Sequence, residues 1–296
     1  MRFLQKFWNK TFFSEFDPYP LAIFRIVLGF SILIILIASF PGWEELYSNG
    51  GMMSLKDLDL PVLKMDRLSL FHYLEPVISI KLFFWLGIIF SITFILGLFT
   101  RFSTLVLFIL VHSMFYRNFL VTAGYDVVCR LLLFFSLFVP VNYYLSIDNL
   151  FNKKKKNLPY VWPVRLMQIG IASIYLITFY HKIIDDLVWL TGDAIYLVVA
   201  NRNWSAFPYP ELFYKWDGIL SKLLTYVTLI LEIAFPFLVW FRQTNLLIIL
   251  AMTIFHLCIT IIMPVIFPFT MVMVSSFILF LPSEVLKGQK QIIRSC

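Results

Sequence analysis

Charge is scarce in this sequence. Asp, Glu, Lys and Arg make up 14% of its 296 residues and hydrophobic residues 60%, with Phe alone occurring 33 times. A soluble domain carries about 25% charge and about 45–50% apolar residues. The mean hydropathy is +0.86, which excludes an ordinary soluble domain. Cysteine is also scarce. Cys129 and Cys258 lie inside apolar runs, where they read as buried small hydrophobes, and Cys296 ends the chain with no prenylation box around it. That usage excludes a disulfide framework, and the few, widely spaced histidines exclude a metal-ligand pattern, so no metal is expected. There is no glycine-rich nucleotide loop, dinucleotide fingerprint, internal repeat, coiled coil or separate soluble domain. The stretch Met1–Pro20 is aromatic and charged, without a small-residue cleavage site, so the first apolar run is expected to be an uncleaved anchor.

What fills the chain instead is a series of long apolar runs from residue 20 to residue 281. The expected fold is all-α: a polytopic transmembrane helical bundle in the cell membrane, a single domain over 1–296 with its helical core at about 15–281. Eight spans are read at 20–40, 80–99, 102–118, 126–145, 162–181, 222–241, 245–263 and 266–281. Gly97-Leu-Phe-Thr-Arg101, Phe241-Arg-Gln-Thr-Asn245 and the two prolines of Met263-Pro-Val-Ile-Phe-Pro268 supply the tightest breaks.

The formal charge of +7 would suggest nucleic acid in a soluble protein. Here the basic residues sit between spans, so orientation and anionic headgroups account for them, and membrane lipids rather than nucleic acid are the expected partners. With eight spans, Arg2, Lys6, Lys10, the tetralysine Lys153–Lys156, Arg165, Arg242, Lys287, Lys290 and Arg294 all fall on the cytoplasmic side, as do both termini. Lys56, Lys64 and Arg67 run against this, among the acids Asp57, Asp59 and Asp66. Residues 41–79 and 182–221 are then the long outer segments, and 193–200 reads as a short helix or strand at the interface.

Several ionisable groups interrupt the apolar runs: Arg25, His112, Arg117, Asp126, Arg130, Glu232 and His256. An unpaired charge at the bilayer centre costs about 2.5–3.5 kcal/mol on insertion scales, so these groups are expected to face protein or to snorkel. Asp126 and Arg130 are four apart and read as a helix-face pair. Glu232, four residues before Pro236, needs a donor or must carry a proton. His256 reads either as a satisfied core histidine or as part of a site, and His72 as a loop residue.

Residues 174–192, IYLITFYHKIIDDLVWLTG, begin as greasy helix and then place His181, Lys182, Asp185 and Asp186 together. His181–Asp185 and Lys182–Asp186 are each four apart. One reading is a snorkelling lysine at a capped helix end. The other is a lysine at an apolar mouth, where desolvation favours the neutral amine, a usable base, while the nearby acids oppose it. The span order would let Arg117, Asp126, Arg130, His181 and Lys182 share the outer half of one cavity.

The same segments carry a resemblance: Leu21-Ala-Ile-Phe-Arg25, Gly97-Leu-Phe-Thr-Arg101, His112-Ser-Met-Phe-Tyr-Arg-Asn118, Gly124-Tyr-Asp-Val-Val-Cys-Arg130, Pro140, Ser146-Ile-Asp148, Tyr175 through His181-Lys182, Trp189, Gly192-Asp-Ala, Glu232-Ile-Ala-Phe-Pro236 and Phe255-His256. In this order they resemble the HTTM family, the membrane domain shared with the vitamin K-dependent gamma-glutamyl carboxylase and with bacterial proteins of the sporulation-delaying protein B type. The resemblance implies that Lys182 occupies the position of the carboxylase's base toward reduced vitamin K. His181 stands where the carboxylase has a second lysine, the carboxylase's Asn-His-Ser histidine has no counterpart in Ala123-Gly-Tyr-Asp126, and its large luminal domain is missing. These departures argue against glutamate carboxylation itself.

Two functional readings follow. In the first, an enzyme or maturation factor uses Lys182 as base or anchor, with His181, Asp126, Glu232 and His256 as catalytic or relay groups. Arg117, Arg130 and Arg25 would then hold an anion or a cosubstrate. The resemblance implies a quinol-like or other lipid-soluble cosubstrate, or a secreted peptide. In the second, the chain is a transporter or a peptide-binding or immunity protein, because buried ionisable groups suit a transport path equally well.

Overall fold

The computed structural model describes residues 2–54, 69–74, 78–151 and 158–288, without the side chains of residues 2–4, 119 and 217. Lys56, Asp57, Asp59, Lys64, Asp66, Arg67, Lys153–Lys156, Lys290, Arg294 and Cys296 therefore lie outside the described residues. Among the described residues the regular secondary structure is helical, apart from one isolated β-bridge between Glu15 and Tyr160. It forms two compact units, one of residues 1–167 with 283–296, the other of residues 168–282.

The first unit opens with α1 (Arg2–Phe12) and α2 (Tyr19–Ser39), continues through α3 (Trp43–Tyr47) and α4 (Leu70–Leu74), and builds on α5 (Ile80–Leu96), α6 (Thr100–Arg117) and α7 (Gly124–Ser136), with the short α8 (Ile147–Phe151). Leu21, Phe24, Leu28, Ile32 and Leu36 repeat every three or four residues and make the buried stripe of α2. That stripe packs on α5, and α5 packs on α6 and α6 on α7. The α2–α5 contact is close because Gly29 carries no Cβ; one placed there would lie 2.5 Å from Ile95 Cγ1.

α9 (Trp162–Ile184) leads into the second unit, which holds α10 (Leu187–Thr191), α11 (Ala194–Ala200), α12 (Lys215–Leu238), α13 (Asn245–Ile262) and α14 (Phe267–Phe277). Its core is aromatic: Tyr175, Phe235 and Phe277 have ring centroids 4.8–6.4 Å apart. Gln168 Nε2 donates to Leu279 O at 2.7 Å. The final short helix α15 (Ser283–Leu286) belongs to the first unit.

Among the described residues, four helices are long and apolar enough to cross a membrane, Tyr19–Tyr47, Trp162–Ile184, Gly218–Leu238 and Asn245–Ile262, and two shorter apolar ones are Ile80–Leu96 and Pro264–Phe280. The chain is thus a multi-pass membrane protein, but eight full crossings do not emerge. α7 has 13 residues, about 20 Å of helix against a hydrocarbon core of about 30 Å. The apolar run continues to residue 145, yet the helix stops before Pro140, which cannot continue it. α14 has 11 residues, preceded by a 3-10 turn at Pro264–Ile266 where the two prolines had marked a break. Three smaller expectations also change or resolve. His72 sits in α4 rather than a loop, residues 194–200 are helix rather than strand, and Cys258 is exposed on α13 while Cys129 is buried.

Candidate functional site: a buried lysine–glutamate pair

The ionisable groups of the first unit are bound into its scaffold. Arg25 is fully buried. It donates to Val141 O at 2.9 Å, Ile95 O at 3.3 Å and Leu145 O, so it satisfies carbonyls where α5 ends and the chain turns after α7. Gly97 makes that turn possible, with φ +66° and a virtual Cβ only 2.7 Å from Arg25 Nη1. Asp148 completes the hub from the other side. It accepts from Phe99 N (2.8 Å), Thr100 N (2.9 Å) and Thr100 Oγ1 (2.7 Å), which caps the start of α6. Burial pushes the Asp148 carboxyl up, but the hydrogen bonds from Thr100, Asn142 and Phe99 outweigh it and hold the group below the ordinary carboxylate range.

Arg117, also fully buried, donates to Met53 O at 2.9 Å and Ser48 O at 2.6 Å. Among the described residues Asp126 and Arg130 form no ion pair with each other but meet other partners. Asp126 Oδ2 accepts from Ala123 N at 2.8 Å, while the Arg130 guanidinium lies 3.6 Å from the Phe115 ring centroid.

The second unit holds the arrangement that stands out chemically. Lys182, two residues before the end of α9, donates to Glu232 Oε1 of α12 at 2.5 Å. The expected partner, Asp186, instead accepts from Val188 N and caps α10. The change has a physical cause: a carboxylate buried mid-helix needs a cation far more than one that water can reach. His181 does pair with Asp185, but both are exposed. Trp189 closes over the lysine, its ring centroid 4.2 Å from Nζ. The second carboxylate oxygen, Glu232 Oε2, is buried and has no hydrogen-bond partner among the described residues.

These groups line a cavity of about 300 Å³, at the lower end of the usual small-molecule range of about 300–1,000 Å³. Tyr175, Thr178 and His256 add polar groups, and Ile174, Phe255, Ile259, Ile262, Met263 and Phe269 make the rest apolar. Tyr175 Oη meets His256 Nε2 at 2.7 Å. A second, almost wholly apolar cavity of about 440 Å³ between α12 and α13 shares Ile195, Thr228, Phe255, Ile259 and Ile262 with the first. Among the described residues no group of three or more His, Cys, Asp or Glu side chains is placed to hold a metal ion.

Of the candidates read from the sequence, Lys182, Glu232 and His256 thus line one cavity, and His181 lies beside it in sequence but faces out. Arg25, Arg117, Asp126 and Arg130 belong to the first unit. Tyr175 was missed as a site residue, although Tyr175, Thr178 and Lys182 recur at helical spacing on one face of α9, as Thr225, Thr228 and Glu232 do on α12.

A multi-pass helical chain with buried arginine hubs and a buried ion pair between two apolar helices is the class that fold and site define. Residues 13–284 match the HTTM domain family, and the chain belongs to that family. No solved structure matches it.

Proposed function

We propose that the chain is a membrane enzyme of carboxylase-like kind, in which Lys182 and Glu232 together take up and hold the proton of a hydroxyl on a lipid-soluble cosubstrate. The observation that carries this reading is the Glu232 carboxylate on the wall of a mostly apolar cavity, its buried Oε2 unpartnered among the described residues. A buried carboxylate oxygen without a donor is costly to leave unmatched, and a ligand hydroxyl is the donor that fits beside apolar walls. The hydroxyl donates to Oε2; its proton passes to the carboxylate; the ammonium of Lys182 remains to neutralise the oxyanion. From the sequence Lys182 reads as a base, an anchor or a snorkelling helix-end lysine. Its pairing with Glu232 makes the carboxylate the acceptor and the lysine the counter-charge.

A quinol-like molecule fits the donor set, since it would supply a weakly acidic hydroxyl on an apolar ring. The adjoining apolar cavity would take a greasy remainder. Arg25 and Arg117 enter as scaffold residues rather than ligand holders, because their Nη groups donate to backbone carbonyls. An outward-facing mouth, with both termini cytoplasmic, is part of the same proposal.

The test uses 4-nitrophenol, whose colour reports its ionisation, added to the purified protein at a pH where the free probe is protonated. The wild type should show the phenolate band. Glu232→Gln and Lys182→Met should abolish it, and Lys182→Arg should retain it, because arginine supplies the counter-charge. Loss in Lys182→Arg together with retention in Glu232→Gln would make Lys182 the base after all. No band and no binding in the wild type would overturn the enzyme reading and favour a transporter or a peptide-binding or immunity protein.

A further inference from the structure

The cavity is lined by a second polar residue, His256, that the proton-holding pair does not use. His256 is buried, and its Nδ1 has no hydrogen-bond partner among the described residues. The state of this atom follows from its neighbour. Tyr175 is buried too, and among the described residues its phenol meets one partner, His256 Nε2 at 2.7 Å. A buried phenol proton needs an acceptor, so Tyr175 donates and Nε2 accepts. A neutral imidazole then carries its proton on Nδ1, which makes Nδ1–H a donor without an acceptor. Its position is fixed. The His256 carbonyl accepts from Thr260 Oγ1 at 3.0 Å and Thr270 Oγ1 at 3.2 Å, and the Tyr175 ring packs on Phe235 at 4.8 Å. The two polar pairs line the same cavity.

Two residues that line the cavity thus carry, among the described residues, one orphaned acceptor, Glu232 Oε2, and one orphaned donor, His256 Nδ1–H. Building on the proposed function, we infer that the ligand is held at two points: a hydroxyl donating to Glu232 and a second oxygen, of carbonyl type, accepting from His256. The substrate class is a small, mostly apolar molecule bearing a hydroxyl and a separate oxygen acceptor. A simple alcohol or phenol satisfies only half of the site. His256 is then a specificity-determining residue, and Tyr175 a positioning residue that acts through it by setting the tautomer.

Matched probes test this: 3- and 4-hydroxyacetophenone against 3- and 4-ethylphenol, which keep the ring, the hydroxyl and the overall size but lack the carbonyl oxygen. Binding to the purified full chain is read by titration calorimetry. One hydroxyacetophenone isomer should bind about tenfold tighter than its ethylphenol partner, the scale of one well-made hydrogen bond. His256→Phe should bring that ratio to about one. Because it strands the Tyr175 phenol and can harm folding, the double variant Tyr175→Phe/His256→Phe, which leaves no orphan, should do the same. A wild-type ratio near one for both isomers, or a preference that survives in the double variant, overturns the two-point inference while leaving the Glu232 reading intact. Failure of all four phenols to bind the wild type overturns that reading and this inference with it.

Discussion

Replacing Lys182 by Met isolates what the buried pair contributes. The substitution keeps much of the apolar stem but leaves the Glu232 carboxylate, whose side chain is 6% exposed, without its cation. Removing one partner of a buried pair costs about 3–5 kcal/mol. The carboxylate has an escape, because it can take a proton. For a glutamate with an ordinary pKa of about 4.3, protonation at pH 7 costs about 3.7 kcal/mol, which sets a ceiling on the penalty. Lys182→Met should therefore lose about 3 kcal/mol at pH 7, and the loss should shrink by up to about 1.4 kcal/mol for each pH unit of acidification. Glu232→Gln should cost less, since the ammonium keeps the Trp189 face. The double variant Lys182→Met/Glu232→Gln buries no charge and should return to within about 1 kcal/mol of wild type. Equilibrium unfolding in mixed micelles, followed by helical circular dichroism between pH 7 and pH 5.5, reads all four proteins. Strictly additive single effects, or a Lys182→Met penalty independent of pH, would refute the pairing.

Other consequences concern the scaffold. Arg25→Leu strands the carbonyls of Ile95, Val141 and Leu145 and should destabilise the protein by about 3–5 kcal/mol in the same unfolding assay; a loss under 1 kcal/mol would contradict the hub. Because the folded-state carboxyl of Asp148 is held below its ordinary range, its contribution is present above the unfolded value of about 3.9 and is lost as pH falls through the folded value. Stability should thus drop in acid, and Asp148→Asn should flatten that part of the profile; an unchanged profile would remove the carboxylate from the cap. Cys258, exposed on α13, should react in detergent with a hydrophobic maleimide at least tenfold faster than buried Cys129, and equal rates, compared by mass spectrometry of the two peptides, would place both inside.

Some of this was legible in the residues. Arg25 could be read as a buried charge needing partners, because an apolar run leaves it nowhere else to go. Its partners could not be read, since backbone carbonyls at the end of α5 and after α7 have no side-chain signature. Lys182 was legible as a charge at the end of an apolar helix, but four-residue spacing pointed to Asp186. The carboxylate it meets is 50 residues away and is favoured by burial rather than proximity in the chain. Tyr175 was hidden by its type, because an aromatic residue in an apolar helix reads as core until its hydroxyl is seen against His256. Hydropathy overstated the spans where apolar residues run past a helix end, as before Pro140. It also could not tell the two faces of α13 apart, since a helix apolar all round gives no sign of which side meets protein; hence Cys258 was read as buried.

The proposal rests on Glu232 meeting a ligand hydroxyl, and infrared difference spectroscopy watches that group directly. Addition of 4-hydroxyacetophenone to the purified protein should change a carboxylate stretch, either by shifting it as Oε2 gains a hydrogen bond or by replacing it with a protonated carboxyl band. The change should be absent in Glu232→Gln. Binding of the probe with no change in the carboxyl region, or with the same change in Glu232→Gln, would contradict the assignment of this pair as the group that receives the hydroxyl.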